Sequence, residues 1–362
     1  MTKEVISKIQ RNQSYVNIAE PIRDNLDMNG VMDAEFLVRN DGTIFNVEGY
    51  AHPTNSVVCE ALYAPDSTST TLLWGEPYKK VTLFDGTYEP IPYPQRAKLL
   101  AKIDPAYGQN NANPYFARYK QILPTSDFIA HLPSRKAIEL ALSKSGLEGD
   151  KFLRDFENLM ILLEISPNEV AQGLTGSLLL GNTETYHDLD IVFTGTLEQN
   201  LIIAKKMRDL ALIEPHRRLF EGGKGWQIRF FNDFGNLMCT FFTYPDKALA
   251  PLNNFTMEVI EDHVEITGTV SDDLHTMYTP SIFNLSDALI KNSQYLTGKQ
   301  DAVPVVVYHT ATRGDCFNQD VVRAMGALVV IDQEGRDPYT AVCVVDRDGV
   351  QNLTPPWRPY YT

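Results

Sequence analysis

The chain has 362 residues, 43% of them apolar and 22% charged, the balance of a folded globular protein rather than a disordered or fibrous one. A formal net charge of −14 argues against a protein that coats nucleic acid by charge alone. No apolar run approaches the ~20 residues of a bilayer span. The polar opening MTKEVISKIQRNQSYVN also lacks the pattern of a secretory signal, so a cytoplasmic location with no membrane contact is expected.

In chain order, residues 1 to about 29 read as a polar helix followed by a loop. From Met32 the pattern becomes strand-like. The turn cluster Asn40-Asp41-Gly42 sits between EFLVR and TIFNVEGY, which predicts a hairpin. SVVCEALYA supplies a third strand, and TLLWGE and KKVTLF two short ones. From Asp85 to Pro124 prolines and tyrosines dominate, and Pro90, Pro92, Pro94 and Pro105 argue against one long helix. Two helices follow. Ser134 is placed to cap the first and Gly146 to end it. The second runs from Asp150 to Leu163 with Phe152, Phe156, Met160 and Leu163 on one face.

Next come a strand AQGLTG, the short SLLLG, a polar loop, the strand DLDIVFTG and the helix LEQNLIIAKKMRDLALI. GWQIRFFNDFGNLMCTFFTY reads as two strands joined at Asn232 to Asn236. After Pro251 the chain is rich in strands again, as in a barrel or sandwich, and TPPWRPYYT reads as an extended tail packed on the surface. Cys59, Cys239, Cys316 and Cys343 are scattered without a CxxC pair. That argues against a disulfide scaffold or zinc cluster, and Cys239 and Cys343 read as buried thiols inside apolar runs.

The chemistry concentrates in GLTGSLLLGNTETYHDLDIVF. Asp188 and Asp190, two apart on a strand, point to the same face. Two like charges at a partly desolvated strand mouth repel. A hard cation such as Mg²⁺ or Mn²⁺, which prefers oxygen ligands, offsets that repulsion. Gly176-Ser177 opens a helical turn whose backbone N–H groups and hydroxyl suit phosphate oxygens, and Gly181 lets the loop fold back. The plain alternatives are solvated carboxylates and a simple helix cap.

Gly176, Ser177, Gly181, Asp188 and Asp190 stand at the offsets of the signature of the DNA polymerase β-type nucleotidyltransferase superfamily, which this stretch resembles over about residues 170–194. His187 stands where that family often has Ser. The wider series DGTIFNVEGYAHP, LPTSDFIAHLPSRKAIELAL, the Gly-Ser to Asp-x-Asp stretch and MYTPSIF is similar to a largely archaeal group of proteins with a nucleotidyltransferase-like domain in mid-chain.

The resemblance implies an α+β chain with three parts. These are an N-terminal β-rich unit (1–124), a helical lead-in with a polymerase β-like domain (125–250), and a C-terminal β barrel or sandwich (251–362). It implies transfer of a nucleoside monophosphate from a nucleoside triphosphate to a hydroxyl, with Asp188 and Asp190 holding the metal and Gly176 and Ser177 the phosphates. An RNA or DNA end and a protein side chain both fit as acceptor. One departure bears on turnover. Active members usually carry a third carboxylate on a later strand, yet WQIRFF and LMCTFFTY have none; Asp233 lies in the turn between them, and Glu258 falls in the next segment. The alternative is therefore a degenerate fold that binds nucleotide, nucleic acid or a protein partner without turnover.

PHRRLFEGGKGWQIR adds Arg217, Arg218, Lys224 and Arg229, with His216, in a glycine-rich loop able to close over phosphates, or else a solvated loop. Lys205, Lys206 and Arg208 read as the solvated face of a helix, and His309, Arg313, Asp315 and Cys316 as a loop.

Overall fold

The computed structural model describes residues 3–81, 93–108, 110, 112–144, 150–183, 186–221, 223–296 and 298–357. Pro90, Pro92, Gly146 and the tail from Arg358, all given roles above, lie outside the described residues, as does Gly222 of the glycine-rich 216–229 segment. The protein is α+β. Its contacts divide it into two units, Met1–Asn111 with Tyr119–Phe193, and Ala112–Arg118 with Thr194–Thr362. This differs from the three parts expected, because the helical lead-in and the Asp-x-Asp strand pack with the N-terminal sheet.

The first unit opens with two short helices, α1 (Lys3–Ile9) and α2 (Gln13–Ile18), instead of one. Eight strands form its main sheet: β1 (Glu20–Pro21), β2 (Phe36–Arg39), β3 (Ile44–Val47), β4 (Ser56–Pro65), β5 (Leu72–Leu73), β6 (Glu76–Lys80), β7 (Gln121–Pro124) and β8 (Phe128–Leu132). β2 and β3 pair antiparallel around the predicted turn, where the Asp41 carboxylate accepts the Thr43 N–H and Gly42 takes a positive φ. Trp74 and Gly75 both have positive φ and make the two-residue turn between β5 and β6. That turn moves the second short strand forward to Glu76–Lys80; residues 82–84 of the expected strand lie outside the described residues. Helix α3 (Tyr93–Leu100) follows.

One face of the sheet is apolar, with Leu37, Phe45, Val47, Val57, Cys59 and Ala61 in its core. The other face carries a buried charge cluster. Lys120 Nζ lies 3.2 Å from Glu48 and 3.1 Å from Glu60, Arg96 pairs with Glu60 and donates to the Ala61 carbonyl, and Asn46 donates to Glu48.

Helices α4 (Ser134–Lys144) and α5 (Lys151–Leu162) complete the lead-in. The Ser134 N–H is accepted by the buried Glu35 carboxylate, whose other oxygen meets His131 Nε2 at 2.7 Å, so the helix start is tied to the sheet. Asp150 caps α5 by accepting from Phe152 and Leu153, and Phe152, Phe156, Leu159 and Met160 are its buried stripe. Strand β9 (Ala171–Leu174), the turn α6 (Gly176–Leu179) and strand β10 (Asp188–Thr194) end the unit, which closes at Phe193 inside β10.

In the second unit α7 (Leu197–Ile213) begins with a capping box between Thr196 and Gln199. Antiparallel strands β11 (Arg218–Glu221), β12 (Lys224–Phe231) and β13 (Leu237–Thr243) follow, and α7 packs on β12; β12 and β13 are joined by residues 232–236 as expected. Six strands follow: β14 (Phe255–His275), β15 (Ser281–Lys291), β16 (Lys299–Val307), β17 (Val321–Gln333), β18 (Tyr339–Val344) and β19 (Val350–Asn352). β14 pairs with both β15 and β17, β15 with β16, β16 in parallel with β18, and β18 with β17. The pairing therefore returns to its start and closes a five-stranded barrel around Val264, Ile266, Phe283, Leu285, Val305, Leu328 and Val342. Of the two expected C-terminal forms, the barrel is the one built. The 21-residue β14 serves both partners, its first part pairing with β17 from Phe255 to Thr269 and its second with β15 from Glu265 to His275.

All four cysteines are buried, and burial pushes the Cys59, Cys316 and Cys343 thiols up. A thiol reagent at neutral pH is therefore expected to modify none of the four in the native protein and all four in denaturant. Rapid native modification at any of them would contradict this packing.

Candidate functional site

The Asp188/Asp190 site lies in the first unit, and the residues leading into it are held from both sides. Tyr186 is buried. Its hydroxyl donates to Asp155 at 2.6 Å, and its carbonyl accepts from Lys151 Nζ at 2.8 Å. The same ammonium stands 3.6 Å from the Tyr186 ring centroid. Burial, reinforced by the Asp155 carboxylate, raises this phenol well above its ordinary range, so it stays a hydrogen-bond donor. The chain thus reaches Asp188 from a fixed point. His187 is exposed, and Asp188 is half-buried.

Asp190 is buried, and its carboxylate rests directly on the backbone of Gly176. Gly176 has φ +60°, and a Cβ there would overlap the Asp190 carboxyl oxygen. Only glycine meets both conditions. The contact is fixed from the backbone side as well: the Thr175 N–H donates to the Asp190 carbonyl at 3.0 Å, and the Thr175 hydroxyl donates to the Ala34 carbonyl at 2.6 Å. Ser177 is half-buried at the start of the turn, and its carbonyl accepts from Leu180 and Asn182. Gly181, with φ +88°, folds the chain back, and the Leu180 carbonyl beside it accepts from the Trp74 indole at 3.1 Å. The glycines, Ser177 and the two aspartates therefore come together as one small constellation.

Sequence reasoning missed Tyr63 on β4. Burial pushes this phenol up to about 12, and the Asp190 and Asp188 carboxylates add to the shift. Its orientation follows from a bulge in β4: Phe45 faces Ala61, but Ile44 faces Tyr63, with Leu62 as the extra residue. The bulge turns Tyr63 to the face opposite the apolar core. Alternation along SVVCEALYA would have placed Tyr63 with Cys59 and Ala61, so no simple pattern revealed it. Removing the two carboxylates is expected to bring the Tyr63 phenol down from about 12. The difference absorbance titration of Asp188→Asn/Asp190→Asn, with Tyr63→Phe as blank, reads this. An unchanged titration would separate the phenol from the pair.

The basic residues of 217–229 lie in the second unit, and each has a partner there. Arg217 donates to Glu214 at 3.1 Å, to Asp233 at 2.5 Å and to the Phe231 carbonyl. Arg218 donates to the carbonyls of Ala211 and Leu212 at the end of α7, a helix cap. Lys224 meets Asp315 and the Ala311 carbonyl and lies 3.9 Å from the Trp226 ring centroid; burial lowers its pKa, and burial raises that of Asp315. Arg229 donates to Glu221 at 2.9 Å and stands over the same indole.

Residues 218–221 and 224–231 pair as antiparallel strands where a loop, phosphate-closing or solvated, was expected, because Arg218 to Glu221 pair with β12. Lys205 and Arg208, read as solvated, pair with Asp273 at 3.0 Å and Asp320 at 2.7 Å. Among the described residues no helix is long and apolar enough to cross a membrane. No family model matches the chain, and no curated protein matches it.

Proposed function

We propose that the protein is a metal-dependent nucleotidyltransferase whose polymerase β-like element is the Gly176 to Asp190 constellation. The observation that carries this reading is the seating of the Asp190 carboxylate on Gly176, with Asp188 two residues away on the same strand. The donor set fits Mg²⁺ or Mn²⁺: two carboxylates, one buried and one half-buried, are hard oxygen ligands. Asp188 and Asp190 would hold the cation, which when bound supplies charge stabilisation to a phosphoryl group in transfer. Gly176, free of a side chain, leaves room for the Asp190 carboxylate, and Ser177 offers a hydroxyl beside it to a phosphate oxygen. The substrate on this reading is a nucleoside triphosphate, and the acceptor is a hydroxyl.

The four cations of 217–229 are already paired, which favours the second reading, a nucleotide-binding fold without turnover. Stabilisation of a leaving pyrophosphate by those residues requires them to exchange the partners described above.

Calorimetry with each nucleoside triphosphate, with and without Mg²⁺, tests the site. Binding is expected to require Mg²⁺ and to weaken roughly tenfold or more in Asp188→Asn/Asp190→Asn, the size of one lost charge-assisted interaction of about 1.5–3 kcal/mol. Full-strength binding by that variant would sink the assignment.

A further inference from the structure

We infer that Trp74 is a positioning residue that makes this site select a polyphosphate: it holds the turn from Ser177 to Gly181 in the shape that receives the chain of phosphates. The inference rests on the nucleotide-site reading above and names what that site discriminates, a triphosphate from a monophosphate. Every residue in the argument belongs to the first unit.

The turn needs support from outside itself. α6 has four residues, and so short a helix is marginal alone. Within it the Ser177 carbonyl accepts from Leu180 and Asn182, and the Leu178 carbonyl from Gly181. The Leu180 carbonyl accepts instead from the Trp74 indole, 106 positions away. Gly181 then folds the chain back so closely that a Cβ there would stand 3.3 Å from Ile18 Cδ1 of α2. Trp74 and α2 fix the far end of the turn, as the Thr175 bond to Ala34 fixes its near end.

Trp74 stands where a tryptophan is costly. It takes the first position of the two-residue turn between β5 and β6, with φ +53°. Asn or Gly meets that conformation with least strain. Three contacts keep the tryptophan there. The Asn12 amide donates to the Trp74 carbonyl at 2.9 Å, and the rings of Tyr15 and Tyr78 stand edge-on to the indole, with centroids 4.9 and 6.1 Å away. A hairpin turn requires none of these. What tryptophan adds, and asparagine lacks, is a rigid side chain that reaches Leu180 with an N–H donor. Strain kept at such a point is a pointer to function.

The consequence is selective. On the nucleotide-site reading the Ser177 hydroxyl meets the β- and γ-phosphates. A turn ordered in advance spares a triphosphate the cost of ordering it, and does nothing for a monophosphate.

The test uses the full chain with Mg²⁺, each nucleoside triphosphate and its monophosphate, calorimetry, and NMR of the indole N–H groups. The chain has three tryptophans, and Trp226 and Trp357 lie in the second unit. Trp74→Phe assigns the Trp74 resonance directly, and Trp226→Phe with Trp357→Phe assigns it by elimination. In the wild type that resonance is expected to move with saturating triphosphate and to stay with monophosphate.

Trp74→Phe keeps a ring between the tyrosines and removes the donor. It is expected to weaken triphosphate binding roughly two- to tenfold, the worth of one hydrogen bond, and to leave monophosphate binding unchanged. In a Ser177→Ala background the same change is expected to do nothing further, because both act through one turn. Triphosphate bound at full strength by Trp74→Phe, or bound by the wild type with the Trp74 resonance unmoved, overturns the inference and leaves the nucleotide site standing. Equal weakening toward both nucleotides, or in both backgrounds, also overturns it, since Trp74 would then serve the fold alone. Absence of binding of every nucleotide removes the underlying reading and the inference with it. The wild-type resonance decides the matter even where Trp74→Phe fails to fold.

Discussion

Lys120→Met is expected to destabilise the first unit by about 3–5 kcal/mol, the cost of breaking a buried ion-pair network by removing one partner. Lys120 is 4% exposed and sits between two carboxylates that are themselves buried, Glu48 and Glu60. Methionine keeps the length of the side chain and removes the charge. Arg96 still meets Glu60, but among the described residues Glu48 keeps only the Asn46 amide as a side-chain hydrogen-bond donor, and a buried anion in that setting is expensive.

Hydrogen exchange of peptides from β3 and β4 reads the effect in the unit concerned. Those amides should lose protection while peptides of the β14 to β18 barrel change little. Adding Glu48→Gln to Lys120→Met should recover part of the loss, since it removes the charge left unpaired. Equal protection in wild type and Lys120→Met would mean that the cluster is solvated in solution.

Helices α4, α5 and α7, the Asn40-Asp41-Gly42 hairpin and the pair β12–β13 were legible because their signals are local. Turn chemistry, helix spacing and capping residues each act within a few positions. The barrel was legible as strands but not as a closed ring: closure depends on β14 serving two partners over 21 residues, and sequence does not encode which edge meets which. The 217–229 segment shows the reverse failure. Glycines and cations suggested an anion-closing loop, but each cation had a carboxylate or carbonyl partner elsewhere in the chain, such as Asp315 for Lys224, 91 positions away. In the site itself, Gly176, Ser177 and the two aspartates were legible from spacing. Tyr63 was not, because a single bulged residue, Leu62, reverses the face on which it stands.

Gly176→Ala is expected to damage both fold and binding, and its two effects separate by their cause. The backbone there has φ +60°, which costs a residue with a Cβ roughly 1–2 kcal/mol. The Cβ would also displace the Asp190 carboxylate, an overpacking cost of about 1–3 kcal/mol. Together these give a loss of roughly 2–5 kcal/mol, read as a lower denaturation midpoint at unchanged slope. Asp190→Asn keeps the size of the side chain and should lose much less stability. Gly176→Ala/Asp190→Ala makes room for the Cβ and should regain the overpacking part, but not the φ part.

If Asp190 is a cation ligand seated on Gly176, Mg²⁺-dependent nucleotide binding must be lost in all three variants, whatever their stability. A stable Gly176→Ala/Asp190→Ala protein that still bound nucleotide with Mg²⁺ at wild-type strength would show that the glycine serves only to pack a carboxylate. The cation would then have to be held without Asp190.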